Sequence, residues 1–172
     1  MALHIIIDGY NLIRQSPLLN SLDRRDIRLG REALIDLLSA YKRLKPHKIT
    51  VVFDGAGDFV FSSGSEKVKD VEVRFSRPPG SADTVIKELA SGLREKALIV
   101  SSDADVVRYA EAKGAAVVSS PVFENKIRAA SLFDGAEPEK EERERRTGTR
   151  KKGPGRRLSK KMRHNVARTG ML

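Results

Sequence analysis

The sequence predicts an α/β fold with a central, mostly parallel five-stranded sheet and helices on both faces. Three observations predict it. Short segments rich in Ile and Val recur along the chain, with segments of helical apolar spacing between them. The apolar segments run continuously instead of alternating with polar residues, as strands buried on both faces do. Strand–helix alternation joined by right-handed crossovers then builds a parallel sheet.

The elements follow in order. Leu3–Asp8 reads as the first strand, its isoleucines running straight into Asp8, Gly9, Tyr10 and Asn11. Ile27, Leu34, Leu37, Leu38, Tyr41 and Leu44 recur at helical spacing, and Pro46 closes that helix. Lys48–Asp54 is the second strand. Residues 55–70, GAGDFVFSSGSEKVKD, are rich in Gly and Ser and read as a mobile loop over a site. Val71–Phe75 is the third strand, followed by a helical stripe of Val85, Ile86, Leu89, Ala90 and Leu93. Ala97–Ser101 is the fourth, followed by a helix with Val106, Val107 and Ala110 that ends at Gly114. Ala115–Ser119 is the fifth, and Pro121 opens a last helix through about residue 133.

Composition narrows the class. The chain has 172 residues, 40% of them apolar and 5% aromatic, so its core is aliphatic. This length suits one domain, expected over residues 1–135, with an appendage over 136–172. There is no Cys, which excludes a disulfide scaffold, a thiolate zinc site and a cysteine nucleophile. No apolar run approaches the roughly 20 residues of a membrane span. The N-terminus MALHIII lacks the long apolar stretch of a signal peptide, and the expectation is a soluble, cytoplasmic protein without a membrane partner.

Charge is placed unevenly. Residues 145–172 hold eleven Lys and Arg and no acid, so they carry +11 of a net +10, leaving −1 on the rest. A neutral domain with a basic tail points to a polyanionic partner, and nucleic acid fits better than a membrane because no large apolar anchor accompanies the charges. Lys151, Lys152, Arg156, Arg157, Lys160 and Lys161 would hold phosphates there by charge. Leu158, Met162 and Val166 are spaced for a short basic helix that orders on binding.

The chemistry is expected at the carboxyl ends of the strands, where open parallel sheets bind ligands. Asp8 with Asn11 follows the first strand, Asp54 the second, Asp83 the third, and Asp103 with Asp105 the fourth. Four successive strands thus deliver carboxylates to one edge. Oxygen-only donors of this kind suit Mg²⁺ or Mn²⁺, which orient and acidify an attacking water at a phosphate. Each residue has a plainer reading as well. Asp8 and Asp103 could cap helices, Asp83 and Asp105 could sit in first helical turns, and Asp54 could make a turn with Gly55.

Competing chemistries lack their motifs. Gly55-Ala56-Gly57 does not continue into GxGxxG, and no GxxxxGK[ST] occurs. An aspartate-nucleophile phosphatase would want Asp where Tyr10 stands, and a receiver domain would want an acidic pair that is not evident. His4, His47 and His164 are dispersed and read as surface or strand-edge residues.

DGYNLI at 8–13, SADTVIKEL at 81–89 and SSDADV at 101–106 resemble the NYN-domain proteins of the PIN-like nuclease superfamily, and especially their YacP-like branch. Arg31-Glu32-Ala33-Leu34 and the VVFDG of the second strand stand in the same order as in that branch. The resemblance implies a three-layer PIN-like fold and divalent-metal-dependent RNA cleavage. It implies Asp8, Asp83 and Asp103 at the metal site, with Asp105 in second rank and Asn11 positioning Asp8, the metal's waters or the phosphate. Glu32 is a candidate for the extra acid of many PIN domains. Arg31 and Arg77 would meet the RNA backbone, Tyr10 and Phe59 could stack bases, and the ribosome is a candidate partner. The competing reading is a non-catalytic RNA- or ribosome-binding module that works through its basic tail.

Overall fold

The computed structural model describes residues 2–55, 65–133, 165 and 168–172. In chain order the elements are β1 (His4–Asp8), α1 (Gly9–Gln15), α2 (Pro17–Asp23), α3 (Ile27–Leu44), β2 (Lys48–Phe53), β3 (Ser65–Val68), β4 (Val71–Phe75), α4 (Ala82–Leu93), β5 (Ala97–Val100), α5 (Ala104–Ala112), β6 (Ala116–Val118) and α6 (Ser120–Phe133). A 3₁₀ turn over Arg94–Lys96 links α4 to β5.

The sheet runs β3-β4-β2-β1-β5-β6, parallel throughout except for β3. It therefore has six strands where five were expected. The extra strand, SEKV, lies in the stretch expected to be a loop. An edge strand with exposed residues carries no apolar signature, which is why its sequence reads as loop. Its hairpin turn is Lys69-Asp70, both at positive φ, instead of the Asn-Gly or Asp-Gly such a turn favours. Helices α1 and α2 likewise precede the first expected stripe.

β1 lies at the centre, between β2 and β5. Its alternation fills both layers. Ile5 and Ile7 pack with Leu34, Leu38, Val51, Phe53 and Phe123 on the α1–α3–α6 face. Ile6 packs with Val52, Ile86, Ile99 and Val106 on the α4–α5 face. All three isoleucines are fully buried, and each contributes roughly 1.5–3 kcal/mol of transfer free energy. Connections from β1 and β5 leave toward opposite edges, so the crevice where strand order reverses opens beside Asp8.

Two glycines mark close approaches at that end. A Cβ on Gly9 would stand 2.3 Å from the Phe53 ring, so only glycine lets α1 start directly off β1. A Cβ on Gly55 would stand 2.2 Å from the Ser76 carbonyl oxygen.

The described C-terminal residues lie back on the domain, beyond the expected 1–135 span. Leu172 and Arg168 are buried, Val117 N donates to Asn165 Oδ1 at 2.9 Å, and Arg168 reaches Gly114 O and Glu95. His47, expected at a surface or strand edge, is buried here. Its Nδ1 accepts from Leu3 N at 3.2 Å, which leaves Nε2–H for Met171 O at 3.3 Å. Asn165, Arg168 and Thr169 are helical; the rest of the expected basic helix, His164 and Phe59 lie outside the described residues. Among the described residues no helix is long and apolar enough to cross a membrane.

Candidate active site

Each strand end is tied to the helix beside it by a side-chain oxygen, and these ties gather the aspartates. Asp8 ends β1 and caps α1, its Oδ1 accepting from Asn11 N at 3.3 Å. Its Oδ2 accepts from Ser101 Oγ at 3.3 Å, and Ser101 Oγ in turn accepts from Asp103 N at 3.1 Å. Ser101, 1% exposed, therefore couples the Asp8 carboxylate to the backbone that carries Asp103.

Asp103 caps α5, its Oδ1 accepting from Asp105 N at 2.8 Å and Val106 N at 3.0 Å. Asp54 does similar work for α4. Its Oδ1 accepts from Ala82 N at 2.7 Å and Ser76 Oγ at 3.3 Å, fixing the helix start that presents Asp83. The capping readings thus hold for Asp8 and Asp103, and they do not compete with a functional role. A capped carboxylate is a rigid one, and the helix N-termini partly offset its charge.

Asn11 is a junction. Its Oδ1 accepts from Ser102 N at 3.0 Å, Ser120 Oγ at 2.7 Å and Gln15 Nε2 at 3.2 Å. It binds α1 to the β5–α5 loop and to the start of α6. That makes it a positioning residue for the acids on either side.

Electrostatics single out two acids. The Asp8 carboxyl is pushed up to about 6, chiefly by burial and further by Asp83 and Asp54, against the hydrogen bonds from Asn11 and Ser101. Asp83 is also held above the usual carboxylate range, by burial first and then by Asp103, with Asp54 and Asp105 adding and Lys87 opposing. Asp105 is different. Lys87 Nζ pairs with its Oδ2 and holds its pKa low.

Asp8, Asp54, Asp83 and Asp103 are therefore brought together, while Asp105 sits at the rim in an ion pair. Arg77 is exposed on the loop between β4 and α4. Arg31 is buried, with its guanidinium 5.4 Å from the Phe75 ring centroid and hydrogen-bonded to Tyr10. Glu32 lies on α3 with Arg28, Arg31 and Phe75 around one hollow. Lys151, Lys152, Arg156, Arg157, Lys160 and Lys161 lie outside the described residues.

Among the described residues no three Asp, Glu, His or Cys side chains converge into a metal cage. The donor set still fits a hard cation. Mg²⁺ keeps several waters and binds through one or two carboxylates plus substrate phosphate. Here two oxygen-donor carboxyls repel each other across a crevice, a cost that a cation would remove.

Sequence reading passed over three contributors: Ser101, Ser120 and Lys87. The hydroxyls had a signal, since serines follow both the fourth and fifth expected strands. Lys87 had a weaker one, four residues after Asp83 on the same helix face.

Comparison with known proteins speaks to the family and the fold. Residues 5–169 match the model of the YacP-like NYN domain, a span that includes the described residues returning at the C-terminus. The uncharacterized protein YacP of Bacillus subtilis (strain 168) is 32% identical over 92 residues, 52% of this chain and 52% of that protein. The aligned part thus spans about half the length of that curated relative. A crystal structure of Rae1 (YacP) from Bacillus subtilis superposes with a TM-score of 0.65 at 24% identity, covering 77% of each chain. A mutant form of that protein gives 0.64 at 24% identity, covering 77% of this chain and 79% of that one. At such identity the superpositions speak for the fold, which is PIN-like. With the family match running over nearly the whole sequence, and its aspartates gathered where a PIN-like sheet reverses, the chain belongs to the YacP-like NYN domain family of the PIN-like nuclease superfamily.

Proposed function

We propose that this protein is a divalent-metal-dependent endoribonuclease that hydrolyses RNA phosphodiesters at its aspartate cluster. One observation carries the reading. Asp8 and Asp83 stand at the switch point of the sheet, and burial with the charges of neighbouring aspartates, Asp83 and Asp54 for Asp8 and Asp103 first for Asp83, holds both above the ordinary carboxylate range.

Asp8 and Asp83 would hold Mg²⁺ or Mn²⁺, with Asp103 contributing the oxygen that does not cap α5. Such an ion, when bound, supplies an activated water and charge stabilisation at phosphorus. The chain's own residues do the rest. Ser101 and Asn11 fix the carboxylates, Asp54 fixes the helix that presents Asp83, and Lys87 keeps Asp105 from adding a further uncompensated charge. Arg77 at the rim meets the phosphate backbone. The tail retains RNA by charge, without reading sequence, and this suits ribosomal as well as messenger RNA.

The test is cleavage of an end-labelled RNA with Mn²⁺ by wild type, Asp8→Asn and Asp83→Asn, each checked for folding by circular dichroism. The reading expects internal cuts by wild type and a loss of more than about 100-fold in both variants. Equal cleavage by all three proteins overturns it. The basic stretch at residues 145–172 supports a second reading, a non-catalytic RNA-binding module. That reading expects no Mn²⁺ heat in isothermal titration, with tail-dependent RNA binding intact.

A further inference from the structure

Beside the acids, on the α1–α3 side, two adjoining hollows open. One, of about 190 Å³, is lined by Tyr10, Arg14, Asp23, Arg31, Asp54 and Phe75. The other, of about 250 Å³, shares Arg31 and Phe75. Asp54 belongs to this wall and also holds Ala82 N, the start of the helix that carries Asp83, so the hollow lies beside the acids.

The lining is unusual for this chain. Its aromatic residues are few, and Tyr41, Phe53 and Phe123 are buried. Tyr10 and Phe75 instead stand half-buried at the hollow, on either side of the fully buried Phe53. The ring centroids are 5.0 Å apart for Tyr10–Phe53 and 5.7 Å for Phe53–Phe75, a firmly backed aromatic row. A guanidinium lies near each outer ring, Arg14 at 5.8 Å from Tyr10 and Arg31 at 5.4 Å from Phe75. Asp23 adds an acceptor. Its Oδ1 is sealed against Gly30 and takes no hydrogen bond, so what Asp23 offers to the hollow it lines is its other oxygen.

We propose that this double hollow is a nucleobase subsite, which takes the base next to the phosphate held at the aspartates and prefers guanine. Aromatic faces and guanidinium planes are the surfaces on which proteins stack unpaired RNA bases. Polarity then selects among the bases. Guanine presents adjacent N1–H and N2–H₂ donors to a carboxylate, and its O6 and N7 acceptors to an arginine. Uracil presents a single N–H flanked by two carbonyls, which a carboxylate repels. Placement beside the acids as an RNA subsite rests on the nuclease reading; recognition of the base does not.

The test separates the two. The full-length ¹⁵N-labelled protein, in EDTA, is titrated with GMP, AMP, CMP and UMP and followed by amide chemical shifts. The subsite predicts GMP binding about 10-fold tighter than UMP or more, with the largest shifts around Tyr10, Arg14 and Phe75. Asp23→Asn should bring that preference below about 2-fold, and Arg14→Ala, an exposed change that leaves the packing intact, should weaken GMP binding several-fold. Equal affinity for all four nucleotides, shifts centred elsewhere, or no binding overturns the subsite. If Asp83-dependent cleavage persists while nucleotides fail to bind, the subsite falls and the nuclease stands. If nucleotides bind as expected and no RNA is cut, the nuclease falls and a nucleotide site remains.

Discussion

The two ends of the parallel sheet treat charge in opposite ways. At the amino end, ionisable groups are paired off. Lys48 and Arg74 both reach Glu72, at 3.3 Å and 2.6 Å, and Thr50 Oγ1 donates to the same carboxylate while accepting from His4 Nε2 at 2.7 Å. Burial, then the charge of Lys48, pushes the His4 imidazole down to about 4, so it stays neutral within a completed network. At the carboxyl end, acids are gathered with acids, and Asp8 rises to about 6. One end satisfies its polar groups; the other leaves like charges opposed. Structural polar networks close on themselves, and unresolved repulsion in a crevice marks where a ligand of opposite charge belongs.

The sharpest way to break this contrast is to remove an acid from each end. Asp83→Asn should lower Mn²⁺-dependent RNA cleavage by more than about 100-fold with little change in urea midpoint, while Glu72→Gln should leave cleavage unchanged and lower stability by about 1–3 kcal/mol. If Glu72→Gln abolished cleavage and Asp83→Asn did not, the assignment of the two ends would be reversed.

A smaller effect is expected one step back from the acids. Ser101→Ala and Asn11→Ala should each lower cleavage by about 10–100-fold, because the residues that orient ligating groups carry that much. Adding Mn²⁺ should recover part of the loss for Ser101→Ala, where only the orientation of Asp8 has changed. No recovery at saturating Mn²⁺ would place Ser101 in the chemistry itself.

The tail should act on affinity alone. Replacing Lys151, Lys152, Arg156 and Arg157 by Gln should flatten the dependence of log K for single-stranded RNA on log salt by about 0.7 for each phosphate no longer neutralised. The rate at saturating RNA should not change. An unchanged slope would remove the tail from the interface.

The smallest effects are in stability against pH, and here the ends should differ in sign. In metal-free protein Asp8 binds its proton more tightly folded than unfolded, so its contribution is complete below pH 3.8 and lost as pH rises through about 6. Asp8→Asn should therefore stabilise the protein at pH 7.5, by about 1–3 kcal/mol at roughly 1.4 kcal/mol per pKa unit. His4 binds its proton less tightly folded, so its contribution is complete above 6.5 and lost as pH falls through about 4. His4→Gln should flatten the rise in stability over that window. Urea midpoints between pH 4 and 7.5 would show both slopes, and slopes of equal sign would contradict the contrast.

The two ends were also unequally legible in the sequence. Asp8 could be placed because it is the last residue of an apolar strand, while Asp83 and Asp103 could be placed only as residues at the starts of the helices that follow β4 and β5. The parallel core was legible because β5 is wholly apolar and β1 and β2 carry runs of buried apolar residues. The hairpin strand β3 was not, since SEKV is an exposed edge whose pairing is made by backbone groups. The network around Glu72 was hidden because its members come from three different strands and no local pattern links them. Ser101 and Asp54 were visible as residues but not as supports, because their partners, Asp8 and Ala82, lie 93 and 28 positions away.

The central claim is that the carboxyl end of the sheet awaits a cation. A crystal soaked in Mn²⁺ and measured at the manganese absorption edge tests it most directly. The account predicts an anomalous peak bounded by Asp8 and Asp83, absent from an Asp83→Asn crystal treated alike. No peak at the aspartates in a wild-type crystal whose protein cleaves RNA with Mn²⁺ would contradict it.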